Sequence, residues 1–272
     1  MQVTGIITLL IIISTCIISY QGFKSSNFYA RYEFEVEKIL LYRDYKRLIT
    51  SAFLHVGWQH LIFNMIALFF FSFGLESTLG PWRLLLLYFI SGLGGNGLAL
   101  LIHRKNPGYS SVGASGAING VIFASIVLFP SMRIFFLPGW LFGLIYILYS
   151  IYGIRSQKDN IGHESHLGGA IIGIATAICF YPPILSENTV TVLLLLLPTL
   201  AFMIIIIKKP QLLLVDNLWF KNQFNYTVDD RYNVHKRNTQ QEVDRILDKI
   251  SKKGLNSLSR KEREVLEDYS RK

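Results

Sequence analysis

Residues 113–129 read GASGAINGVIFASIVLF, seventeen residues without a single Asp, Glu, Lys or Arg. A bilayer core about 30 Å thick takes roughly 20 mostly apolar helical residues, and segments near this length qualify. The second half of the stretch is branched and apolar. The first half crowds Gly, Ala, Ser and Asn together. Gly116 and Gly120 lie four apart, a spacing that lets a second helix bring its backbone close inside a membrane. Ser115 and Asn119 are polar at membrane depth, where polarity is costly and points to function by default. The stretch therefore reads as an inner helix of a membrane bundle.

The flanking sequence supplies the rest of that bundle. Further spans are predicted over Val3–Tyr20, Val56–Leu75, Leu84–Ile102, Ile134–Tyr152, His163–Tyr181 and Val190–Ile207, with 113–129 as the fourth of seven. Val3–Tyr20 has neither a basic leader nor a small-residue cleavage site, so it reads as an uncleaved helix. A polar stretch, Gln21–Arg47, separates the first span from the second. Gly80-Pro81 and Pro182-Pro183 mark turns. The first and seventh spans are uniformly Leu- and Ile-rich, as suits lipid-facing helices. The fold class is all-α: a polytopic membrane protein with a six-helix core, a seventh C-terminal helix and a soluble helical tail.

Composition agrees. Of 272 residues, 51% are hydrophobic and only 17% charged, against about 25% charged in average soluble proteins. Mean hydropathy is +0.37. Disordered, collagen-like and coiled-coil classes are excluded. Cys16 and Cys179 sit inside apolar blocks, so no disulfide framework is expected.

Charge divides the chain into 1–207, the transmembrane domain, and 208–272, a basic tail. The tail holds 15 Lys+Arg against 10 Asp+Glu, a net +5, whereas residues 1–207 hold 12 and 8. An anionic lipid surface is the nearer partner for such a tail, and nucleic acid is not expected. Lys208–His235 reads as a linker. Val243, Ile246, Leu247 and Ile250 then follow helical spacing over Thr239–Lys252, Gly254 is placed to cap that helix, and Ser259 with Glu262 matches a capping box opening a last short helix.

The chemistry-bearing residues fall in three places. HVGWQHLIFNM (55–65) puts His60 and Asn64 four apart on one helix face. GASGAING (113–120) offers Ser115 between glycines. HESHLGGAIIG (163–173) offers His166 ahead of Gly169 and Gly173. A serine hydroxyl needs a base to become a nucleophile, and a neutral imidazole serves near pH 7. Amide and imidazole N–H groups stabilise the oxyanion that follows attack on a carbonyl. Glu164, two residues before His166, falls on another helix face, so a Ser–His dyad is expected rather than a triad.

Together these residues resemble the rhomboid intramembrane serine proteases over roughly Tyr45–Ile178. The resemblance implies Ser115 as nucleophile and His166 as catalytic histidine. It implies His60 and Asn64 as the oxyanion-stabilising pair, with Gly113, Gly116 and Gly169 in support. Arg47, eight residues before His55, and Glu76, before Gly80, match structural positions of that family. Transmembrane proteins are the implied substrates, lipid the surroundings, and neither metal nor organic cofactor is implied. Two positions depart from the family pattern. Asn119 stands where an aromatic ring often stacks on the histidine, and could support His166 only by a hydrogen bond. Lys46 stands in place of a Trp.

Two alternatives stay open at this stage. HESH superficially resembles a zinc-protease helix motif, although its second His is at i+3 rather than i+4. A catalytically inactive relative that binds membrane proteins would share the fold, as would a small transporter, though no internal repeat is visible.

Orientation sets two rules against each other. The resemblance puts the Ser115 end outside, where the connecting loops carry ten Lys+Arg, while Arg83 and Arg133 lie on the other side. The positive-inside rule favours the reverse. The resemblance is preferred here, because the first loop is expected to be a folded, membrane-dipping element. With seven spans, the tail is then extracytoplasmic.

Overall fold

The computed structural model describes residues 5–156 and 161–208, with scattered positions between 243 and 269. The chain divides into two compact units, Met1–Trp219 and Phe220–Lys272.

The first unit is helical. Its elements are α1 (Ile6–Lys24), α2 (Ser26–Tyr32), α3 (Val36–Leu40), α4 (Arg47–Thr50), α5 (Trp58–Leu79), α6 (Pro81–His103), α7 (Ser115–Leu128), α8 (Gly139–Ser156), α9 (His163–Phe180), α10 (Ile184–Glu187) and α11 (Thr189–Lys208). Two small antiparallel pairs join them: β1 (Phe34–Glu35) with β2 (Ser110–Ser111), and β3 (Arg133–Ile134) with β4 (Leu137–Pro138). By length and composition, α1, α5, α6 and α11 can each cross a membrane. The protein is an all-α polytopic membrane protein. Helices α7, α8 and α9 are shorter or more polar than those four, because they carry the small and polar residues of the core.

Buried polar contacts fix the outer helices. Near the start of α1 the Ile7 and Thr8 N–H groups have no carbonyl partner within the helix. They donate instead to the Glu76 carboxylate of α5, at 3.0 and 3.1 Å, and the Thr8 hydroxyl adds a bond of 2.7 Å. A carboxylate at a helix N-terminus also complements the helix dipole.

The polar stretch between the first two predicted spans is a folded element. Arg47 is buried, and its guanidinium donates to the Ala30 and Glu33 carbonyls at 2.9 and 2.8 Å and to Asp44 at 3.0 Å. One side chain thus gathers α2, β1 and α4. Leu41, Tyr42 and Tyr45 face outward.

The fifth predicted span, α8, begins at Gly139, five residues later than its predicted start at Ile134, because β3 and β4 form a tight hairpin first. Pro138 lacks the N–H that a helix interior requires. Phe135, at φ +56°, turns the hairpin and stands outward beside Phe136.

At the centre lies α7, buried without interruption from Gly116 to Val127. Against it packs α9 along a seam of glycines. A Cβ at Gly169 would overlap the Gly116 carbonyl, and one at Gly173 would overlap Gly120. On the other flank of α9, a Cβ at Gly95 of α6 would lie 2.5 Å from the Ser165 carbonyl oxygen. The two GxxxG motifs interlock, four residues against four.

In the second unit Val243, Ile246, Leu247 and Ile250 are helical, with Val243 and Ile246 buried. Ser259 and Glu262 bond reciprocally, Ser259 N–H to Glu262 Oε2 at 2.8 Å and Glu262 N–H to Ser259 Oγ at 3.3 Å. Lys249 pairs with Glu262 at 2.8 Å. Gly254 and most of the predicted linker lie outside the described residues.

Candidate active site

Ser115 is the first residue of α7, and the loop before it is held on three sides. Gly113 has φ +137°, a conformation that favours glycine, and a Cβ there would come within 2.8 Å of the His60 ring. Its N–H donates to the Ser51 carbonyl at 3.0 Å. The Ala114 N–H points to His55 Nε2 at 3.4 Å. His55 Nδ1 in turn lies 2.9 Å from the Ser19 hydroxyl of α1, which donates to the Phe53 carbonyl at 2.8 Å. Accepting at Nε2 and donating at Nδ1 requires a neutral ring. Burial, with His60 close by, pushes the His55 imidazole down to about 3. The outermost helix thus reaches the serine loop through one buried histidine.

His166 sits in the first turn of α9, and its Nε2 lies 2.8 Å from Ser115 Oγ. That is hydrogen-bond distance between a hydroxyl and a base. The glycine seam explains the approach. Gly116 follows Ser115 directly and Gly169 is three residues beyond His166, so the helices touch within a turn of both side chains. Ser115 is half-buried and His166 buried. On the far side, His166 Nδ1 lies 3.0 Å from the Tyr146 hydroxyl of α8. The two rings are tilted by 32° with centroids 6.3 Å apart.

The other predicted residues divide. His60 is half-buried, against Gly113 on the Ser115 side, and its ring meets that of His55 edge-on at 4.8 Å. Asn64 is buried one turn further along α5, where its amide donates to the His60 carbonyl at 2.9 Å. Asn119 does not supply a bond to His166 Nδ1, the support for which it was singled out. Its amide donates to the Ser115 carbonyl at 2.8 Å, and the ring nitrogen goes to Tyr146. Glu164 turns away as its spacing predicts and meets His103 of α6 at 3.3 Å, with the His103 ring stacked on Tyr109. His163, the other half of HESH, packs against the Tyr149 and His166 rings.

Tyr146, His55 as a brace for the loop, and Ser19 were all missed as site residues. One signal for Tyr146 was present: it begins a run with Tyr149 and Tyr152 at every third residue, and it alone of the three lies more than a turn inside the predicted span, whereas tyrosines prefer the interfaces.

Comparison with known proteins identifies the family. The rhomboid domain matches residues 42–183, and a family of unknown function (DUF6576) matches residues 226–272. RHOMBOID-like protein 12, mitochondrial, of Arabidopsis thaliana is 33% identical over 148 residues, 46% of this chain and 43% of that protein. The rhomboid protease GluP of Bacillus subtilis is 34% identical over 134 residues, 49% of this chain and 26% of its own length. Rhomboid protein 1, mitochondrial, of Saccharomyces cerevisiae is 32% identical over 149 residues, 50% and 43% of the two chains. Each alignment spans less than half of the relative. The rhomboid match alone takes in more than half of this chain and encloses His60, Asn64, Ser115 and His166, and the protein belongs to the rhomboid family.

Proposed function

We propose that the chain is an intramembrane serine endopeptidase that hydrolyses peptide bonds in transmembrane proteins with a Ser115–His166 dyad. The observation that carries this reading is the 2.8 Å contact between His166 Nε2 and Ser115 Oγ, made in a half-open site at the head of a buried helix.

A substrate segment unwinds near the membrane surface and presents its scissile carbonyl to Ser115. His166 takes the hydroxyl proton as Oγ attacks. Negative charge then builds on the substrate oxygen, where the Ser115 backbone N–H, the His60 ring and the Asn64 amide are the donors assigned to it; one such donor is worth about 2.7–4 kcal/mol. His166 next protonates the leaving amine. Water, activated by the same histidine, releases the acyl group. The bilayer core cannot supply that water. Helix α7 has 14 residues, about 21 Å at 1.5 Å per residue, well short of a ~30 Å core. A helix this much shorter than the core supports a site in which the serine at its head sits below the membrane surface, in a depression open to water. The relation to GluP, whose name marks it as a rhomboid protease, supports the same assignment.

The test is labelling with a serine-reactive fluorophosphonate alongside cleavage of a reporter transmembrane substrate. Both are expected in the wild type, and both are lost in Ser115→Ala and His166→Ala. Undiminished cleavage by Ser115→Ala would remove the assignment.

A further inference from the structure

The imidazole that contacts Ser115 has a tautomer problem, and its surroundings contain a solution. To act as a base toward Ser115, His166 must carry its proton on Nδ1 and leave Nε2 free to accept. In serine triads a carboxylate on Nδ1 enforces this. Here the group on Nδ1 is the Tyr146 hydroxyl, at 3.0 Å. A phenol can donate or accept, and only one choice is productive. If Tyr146 donated to Nδ1, the ring proton would move to Nε2 and point at Ser115 Oγ, which blocks activation.

Two buried oxygens beside the phenol bear on the choice. Asn119 Nδ2 is committed to the Ser115 carbonyl at 2.8 Å. Its Oδ1 and the Ser150 Oγ are buried without hydrogen-bond partners, and both side chains neighbour the Tyr146 hydroxyl. A buried oxygen calls for a partner. If the Tyr146 proton goes to Nδ1, neither oxygen receives it. If it turns away from the ring, Ser115 O–H donates to His166 Nε2, His166 Nδ1–H to Tyr146 Oη, and Tyr146 O–H is left for one of these two oxygens.

We propose that Tyr146 is a positioning residue of the reaction, accepting from His166 Nδ1 with its own proton turned away from the ring, and so holding the imidazole in the tautomer that can receive the Ser115 proton. The role rests on the dyad reading above. It explains why a polar residue can stand one turn after the nucleophile: the aromatic partner of His166 comes from α8 instead of α7.

Two measurements on the full chain test it. The first is kinetic, using Tyr146→Phe, which keeps the ring and removes the hydroxyl. Loss of an anionic Nδ1 partner costs about 10,000-fold in kcat. A neutral phenol should matter less, and kcat is expected to fall about 10- to 100-fold with KM within about twofold. A ring that merely filled space would leave kcat unchanged, and that result overturns the proposal. The second needs no variant at Tyr146 and no turnover. Solid-state NMR of the wild type with 15N-labelled histidine, with the His166 signals assigned by their loss in His166→Gln, reads the tautomer directly. Protonated Nδ1 with bare Nε2 is expected, and the reverse overturns the proposal even if Tyr146→Phe fails to fold. A wild type that neither cleaves nor reacts with fluorophosphonate would instead defeat the protease reading while leaving the tautomer result standing.

Discussion

Helices α7 and α11 show two ways of living in a membrane protein. Helix α11 has 20 residues, nearly all Leu, Ile, Val and Thr, and turns Leu193, Leu197, Ile204 and Ile205 outward. Its length and greasiness answer to the bilayer. Helix α7 has 14 residues, three of them Gly or Asn within its first six, and buries almost every side chain in protein. Its length answers to its neighbours. A helix surrounded by other helices is freed from spanning the hydrocarbon, and that freedom lets a serine at its head meet water. The contrast also separates two kinds of tolerance to mutation: α11 needs only to stay apolar, while α7 needs specific small atoms at specific places.

The sharpest way to break this contrast is at the dyad. Ser115→Ala and His166→Ala are each expected to lower reporter cleavage by about 1,000-fold or more, with the helical circular dichroism and melting of the wild type. Next come the glycines of the seam. Gly169→Val and Gly116→Val put a branched side chain where the partner's backbone or Ser165 already sits. Overpacking of this kind costs about 1–3 kcal/mol, and it should abolish or strongly reduce cleavage. The paired control is Leu197→Val on the outer face of α11, where a change within about 0.5 kcal/mol is expected. Equal tolerance at Gly169 and Leu197, read by melting temperature and cleavage, would erase the distinction between the two helices.

Smaller effects refine the site. His60→Ala and Asn64→Ala should each slow cleavage by roughly 10- to 1,000-fold if each supplies one oxyanion donor. A rate unchanged in Asn64→Ala would mean that its amide serves only the His60 carbonyl. The mildest test is pH. Burial, with His60 close by, pushes the His55 imidazole down to about 3 in the fold from about 6.5 when exposed. Its neutral form is the native one, so its contribution is complete above pH 6.5 and lost as pH falls toward 3. The melting temperature should therefore drop between pH 7 and pH 5, and this drop should shrink in His55→Gln, which can still accept from the Ala114 N–H. An identical pH dependence in the variant would show that another group sets it.

Much of this architecture was legible from residues alone, for a physical reason. Membrane helices announce themselves by composition, so the hydropathy blocks found the long helices, and Gly116-xxx-Gly120 with Gly169-xxx-Gly173 anticipated which two would touch. What stayed hidden depends on tertiary partners. Arg47 has a structural position by resemblance alone, and its partners, the carbonyls of Ala30 and Glu33, are visible only in the fold. Ile134 looks like the start of a span, yet Pro138 and the β3–β4 hairpin delay the helix to Gly139. Tyr146 lies in a run whose apolar residues point every way, and no periodicity says which face of α8 meets His166. Asn119 was noticed for its position and given a partner it does not bond, because its spacing fixes the turn of the helix and not the neighbour across it.

The glycine seam has a thermal consequence. Where α7 meets α9, main chain lies against main chain, and Gly116, Gly120, Gly169 and Gly173 contribute no rotamers to freeze on folding or to melt on warming. A contact between leucines loosens as their side chains begin to hop. This one has nothing to hop. The spacing of the two helices that carry Ser115 and His166 is thus set by main-chain contact and not by packed side chains. Under the proposed function, warming the membrane should change how often a substrate helix unwinds into the site far more than it changes the distance between these two helices.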